Sequence, residues 1–196
     1  MLKRCFLAIV LVLYPACLAY SQATLKQLDQ LKNDSAAIIQ LENYIATHAL
    51  TPKEKLEVMV RISNRAGALR DFPKSIQVTN DGIVLAKKNN LDSMEAVLTK
   101  LLGITYYTMG QKETAIGYFK KAITIAQEHG HWFTESRCYS NLGAIFVEKK
   151  QYHDAEESLT RSIAMMTAHG KEDDPATGIT YRLLATLYTE MKQPEK

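Results

Sequence analysis

The sequence predicts an all-α solenoid of antiparallel helix pairs. The first observation is self-similarity at an offset of 40 residues: LGITYYTMGQKETAIGYFKKA (102–122) recurs as LGAIFVEKKQYHDAEESLTRS (142–162). Leu102-Gly103 matches Leu142-Gly143, Tyr106 matches Phe146, Ala115 matches Ala155, Phe119 matches Leu159, and Ala122 matches Ser162. A repeat of this length marks stacked supersecondary units. The second is helical spacing inside each unit: Ala115, Ile116, Phe119, Ala122, Ile123 and Ala126 form one apolar stripe. The third is a glycine inside each first helix, at Gly103 and Gly143, where it weakens the helix by about 1 kcal/mol relative to alanine. Such a residue is explained if a second helix crosses closely there, with Ala115 and Ala155 as small partners.

The elements follow in chain order. Residues 1–23 carry Lys3 and Arg4, an apolar run to about Ala19 and small residues ending at Ala23, the three-part pattern of a secretory signal peptide. That run is about 15 residues and is interrupted by Pro15, shorter than the roughly 20 a membrane-spanning helix requires. An alternative reading acylates Cys17, although Tyr14-Pro15-Ala16 is a poor lead-in. Residues 24–50 hold two amphipathic stripes, Leu25, Leu28, Leu31 and then Ile38, Ile39, Leu41, Tyr44, Ile45, expected as capping helices. A degenerate repeat spans about 51–90, with Ile62-Ser63, Ala66, Ser75, Thr79 and Gly82 at the repeat positions. It opens on Thr51-Pro52-Lys53-Glu54, which combines an N-cap hydroxyl, proline at the first helical position and a reciprocal glutamate.

Full repeats occupy 91–130 and 131–170, with a turn at Gly110 and left-handed helix ends at Gly130 and Gly170. An incomplete unit fills 171–196, where Asp174-Pro175 repeats the cap and Leu184-Ala185 with Tyr188 repeats the motif. The last unit lacks its second helix, so Ile179, Leu184, Leu187, Tyr188 and Met191 are expected to lose part of their cover.

The Leu-Gly-x-x-Tyr box at Leu102, Gly103 and Tyr106, followed by Ala115, Phe119 and Ala122, resembles the tetratricopeptide repeat. The unit of 40 exceeds the usual length of about 34 and is similar to the long-repeat subfamily of spindle-orientation scaffolds and bacterial signalling proteins. The resemblance implies a right-handed superhelix whose first helices line a groove that holds a peptide or a partner's helix. It also implies site residues. Arg137 and Asn141, one turn apart, resemble the Arg and Asn of the long-repeat subfamily. Lys100, Ser140 and Arg182 share one phase in successive repeats, and Tyr107 and Asn64 point the same way. Asn141 would bond a partner's main chain, while Lys100, Arg137 and Arg182 would favour carboxylates. The expected partner is a protein or peptide, acidic in character; the competing reading makes these residues a solvated helix face.

Without residues 1–23 the chain has 22 basic against 21 acidic residues, a net charge of +1, which argues against a bulk electrostatic grip on nucleic acid. Cys138 is then alone, so no disulfide scaffold is expected. His129, His131 and His169 lack i, i+4 spacing, and no phosphate-binding glycine loop or catalytic carboxylate pair occurs. No metal, cofactor or enzymatic activity is therefore expected. Leader and composition suit a bacterial periplasm or cell envelope. Three functions are weighed: an exported scaffold, the sensory front of a larger histidine kinase or transcriptional regulator, and an oligomerisation module that self-associates through its C-terminal face.

Overall fold

Arg70, Asn90, Gly110, Gly130, Lys150 and Gly170 all have φ between 52° and 80°, and twenty residues separate each from the next. At each of these points the chain leaves one helix and turns into another. The following amide reaches back five residues, as in Asp71 N to Ala66 O (2.8 Å), Gln111 N to Tyr106 O (2.9 Å) and Gln151 N to Phe146 O (2.9 Å). These are Schellman closures, which satisfy the carbonyls orphaned at a helix end. The 40-residue repeat is thus two 20-residue helix-plus-turn modules.

The computed structural model describes residues 34–192. Among them are eight helices: α1 (Ser35–Thr47), α2 (Pro52–Ala68), α3 (Phe72–Lys88), α4 (Asp92–Thr108), α5 (Lys112–Glu128), α6 (Trp132–Glu148), α7 (Tyr152–Ala168) and α8 (Pro175–Met191). The expected capping box is present: Glu54 N donates to Thr51 Oγ1 (3.3 Å) and Thr51 N to Glu54 Oε2 (2.9 Å). Asp174 caps α8 through Ala176 N (2.8 Å), and Asp71 caps α3 ahead of Pro73 through Lys74 N (3.2 Å). The expected leader, and the first of the two capping stripes, lie outside the described residues. The second stripe forms α1, where Ile38, Leu41 and Tyr44 are buried but Ile39 is exposed.

The helices pack as a repeat solenoid: α2 with α3, α4 with α5 and α6 with α7 form tight antiparallel pairs. The first helices α2, α4, α6 and α8 also touch their counterparts in the next pair, whereas the second helices make no comparable contact. First helices therefore line the inner side of the stack, and second helices splay on the outer side.

Each crossing inside a pair is a match of sizes. A Cβ built on Gly103 would lie 2.7 Å from the ring of Phe119, and one on Gly143 2.5 Å from Leu159. This corrects the expected cause of the glycines. The space is taken by a large side chain of the facing helix, and Ala155 contributes only a carbonyl at 3.5 Å. In the degenerate repeat the same two positions carry Ser63 and Thr79, two medium residues whose hydroxyls are 2.6 Å apart. Ser75 and Thr105 extend that contact at 3.1 Å, so the polar atoms left by this exchange are bonded despite burial. A second crossing behaves alike. A Cβ built on Gly82 would lie 3.6 Å from Leu56 within its pair and closer still, 3.1 Å, to Leu98 of α4, while Ser136 faces Ser162 in another pair (3.1 Å).

On α8, Ile179, Tyr181, Tyr188 and Met191 are exposed among the described residues, whereas the expectation of exposure named Ile179, Leu184, Leu187, Tyr188 and Met191. Leu187 departs from it. That side chain is fully buried against Val147, Ala155 and Leu159, because it faces back toward the preceding pair.

Candidate functional site

The inner face offers two hollows and a cationic ridge. One hollow, about 270 Å³, lies between the N-terminal halves of α4 and α6 and is lined by Met94, Val97, Trp132 and Phe133. The other, about 400 Å³, lies between α2 and α4 and includes Asn64, Leu101, Ile104 and Thr108. Asn64 is exposed at that second hollow.

Lys100 sits on α4, half-buried against α6, and interacts electrostatically with Cys138 and Arg137. Burial holds its ammonium below the ordinary lysine range; Cys138 opposes this and the Arg137 charge adds to it. Neither Lys100 nor Arg137 forms a hydrogen bond or ion pair among the described residues. Asn141 follows Arg137 by one turn of α6 and is half-buried. The structure therefore brings Lys100, Arg137 and Asn141 onto one ridge of the inner face.

The other expected residues are placed differently. Ser140 is buried, and its hydroxyl pairs with Thr180 Oγ1 at 2.9 Å across the α6–α8 contact. It shares the helical phase of Lys100, but its short side chain ends inside the helix contact where lysine emerges. Arg182 is exposed on α8, and its side chain forms no hydrogen bond or ion pair among the described residues. Tyr107 spans from α4 to α6, its hydroxyl donating to Glu148 Oε1. Burial, then the hydrogen bond and charge of Glu148, push the phenol up to about 12. Lys112 adds an ion pair to Glu148 at 2.8 Å. Tyr107 thus belongs to a polar clasp at the C-terminal ends of α4 and α6.

Cys138 lies in the core, where burial pushes its thiol up to about 12, the opposite of an activated nucleophile. The histidines occupy helix ends. His129 Nδ1 is 3.4 Å from Asp92 Oδ2, and one repeat later His169 stacks on Trp132 with ring centres 3.7 Å apart.

A larger cleft, about 580 Å³, opens on the outer side between α5 and α7, over α6. No motif in the sequence marks it. The only signal for it is a size difference between repeats, Ser158 where the preceding unit has Tyr118. Among the described residues no helix is long and apolar enough to cross a membrane.

Residues 101–129 and 134–196 match tetratricopeptide repeat family models, so the chain carries tetratricopeptide repeats over these segments. A Tonsoku-like protein from Danio rerio is 27% identical over 122 residues, 59% of this chain; the match spans 8% of that relative's length. Among solved structures, BtubC (BKLC) from P. vanneervenii superposes with a TM-score of 0.68 at 14% identity, covering 88% of this chain and 67% of that one. Kinesin-light-chain-like repeats from Podospora anserina, described as TPR-like, superpose with a TM-score of 0.58 at 14% identity, covering 92% and 85%. These structural likenesses concern the fold.

Proposed function

We propose that this chain is a non-catalytic scaffold of the long-repeat type that captures an acidic, extended segment of a partner protein on its inner face. Protein binding is what tetratricopeptide repeats support in general; the acidic partner rests on one observation. Lys100 and Arg137 stand side by side, one of them partly desolvated, with no carboxylate opposite either among the described residues. Two uncompensated cations in a half-buried setting raise the free energy of the empty protein, and a carboxylate from outside relieves that strain. Arg137 would take it with a bidentate fork, Lys100 as a point charge, and Asn141 would bond the adjoining backbone. Arg182 extends the same charge along the face, and Asn64 marks the hollow at its other end. The leader-like residues 1–23 suggest an exported setting, in a bacterial periplasm or envelope.

The test is titration of the full chain with a blocked peptide of alternating Glu and Ala, beside its Lys and Ala counterpart. The acidic peptide should bind, more weakly as salt rises. Lys100→Met should lower that affinity while raising the melting temperature, because it removes a half-buried charge that has no ion-pair partner among the described residues. Equal binding of both peptides, or unchanged affinity in Lys100→Met, overturns the reading.

A further inference from the structure

The outer cleft has no role in the inner-face reading, and the repeat itself explains why it is open. A shift of 40 residues carries Tyr106 to Phe146 and Tyr118 to Ser158. In the earlier unit Tyr118, on α5, lies flat on Tyr106, on α4, with ring centres 5.2 Å apart and planes 4° from parallel. In the later unit α7 offers only Ser158 at that position, so the place that Tyr118 fills is empty and both Phe146 and Ser158 line the cleft.

The remaining walls suit an amphipathic ring. Ile116, Ile123 and Leu142 supply apolar surface beside Phe146. The rim is polar. Lys149 pairs with Glu113, Arg161 pairs with Glu157 at 2.8 Å, and the Arg161 guanidinium stands 5.6 Å over the Tyr139 ring. The Lys120 ammonium has no ion-pair partner among the described residues. The volume falls within the usual range for sites that bury a ligand group. Parallel aromatic pairs are favoured beyond the area they bury.

We propose that the cleft between α5 and α7 docks an aromatic side chain of a partner protein, its ring stacked on Phe146 as Tyr118 stacks on Tyr106. The chain shows the chemistry of the occupant in its own preceding repeat. This surface lies on the opposite side from Lys100 and Arg137, so the two sites stand or fall separately.

The full chain, labelled with ¹⁵N, would be titrated with the blocked peptide Gly-Gly-Tyr-Gly-Gly, with its leucine analogue, and with p-cresol. The tyrosine peptide should shift the amides of Leu142, Phe146 and Ser158 with a dissociation constant on the order of 1 mM, as befits one side chain. The leucine peptide should bind about tenfold more weakly. Ser158→Tyr should abolish the shifts by supplying the missing ring from within, Ser158→Ala should preserve them, and Arg137→Glu should leave them unchanged. Should Ser158→Tyr disturb folding, Phe146→Leu, which keeps an apolar floor without a ring, must weaken the tyrosine peptide to the level of the leucine one. p-Cresol, the isolated side chain, should move the same amides. Equal binding of the two peptides, persistence of the shifts in the filled or ringless variant, or shifts with p-cresol but none with the tyrosine peptide would overturn the proposal.

Discussion

Gly103 and Phe119 are one unit, as are Ser63 and Thr79, and neither member can be changed alone. Placing Ser63's side chain at position 103 drives it into a fully buried ring that has no room to yield. Gly103→Ser should therefore destabilise by about 1–3 kcal/mol, the usual cost of overpacking. Phe119→Thr alone leaves a cavity and should cost about 3–5 kcal/mol. Combined, the two reproduce the pairing found 40 residues earlier, so urea denaturation of the cycle should show a favourable coupling of at least about 0.5 kcal/mol. Simple additivity would mean that the match of sizes is incidental. Thr99 gives a simpler case. Its buried hydroxyl has no partner among the described residues, so Thr99→Val should raise stability by about 1 kcal/mol in the same measurement.

Helix ends show what the sequence discloses and what it conceals. Gly110, Gly130 and Gly170 announce left-handed turns by residue type, and Asn90 is a tolerated substitute. Arg70 and Lys150 give no such signal, yet they adopt the same φ because the Schellman bonds and the packing on either side demand it. Lys150→Gly should remove that strain and raise stability by up to about 1 kcal/mol, after the greater freedom of glycine in the unfolded chain is subtracted. An unchanged or lower melting temperature would contradict this.

The clasp between α4, α5 and α6 adds a dependence on pH. Burial pushes the Glu148 carboxyl up, but hydrogen bonds from Lys112 and Tyr107 outweigh it and leave the group below its ordinary 4.5. A depressed carboxyl contributes stability above its unfolded pKa and loses it as pH falls through the folded value. Glu148→Gln should therefore flatten part of the acid limb of the stability profile, below about pH 4.5. The carboxylate is partly exposed, so the effect is small.

At the scale of the molecule, the stacking of helix pairs was legible because a period of 40 and a 3.6-residue stripe survive side by side in residues 91–170. The inner face was only partly legible. Phase places Lys100, Ser140 and Arg182 together, but reach decides exposure, so Lys100 emerges while Ser140 ends against Thr180. Leu187 was misread for a related reason: it faces back toward α6 and α7 and is buried there whatever lies on the other side of α8. The outer cleft could not be read from any motif, since it consists of a side chain that one repeat has and the next lacks. Repeat arrays couple mainly neighbour to neighbour, so substitutions at the Lys100–Arg137 ridge should leave distant pairs undisturbed. Binding and folding can therefore be measured apart.

The most direct measurement is the affinity of the full chain for the alternating Glu and Ala peptide, taken on the unaltered protein and on Arg137→Glu with thermal denaturation recorded for both. Charge reversal should abolish binding while the melting temperature holds or rises, because the introduced carboxylate would face Lys100. Undiminished binding, or a loss that appears only together with a lowered melting temperature, would contradict this.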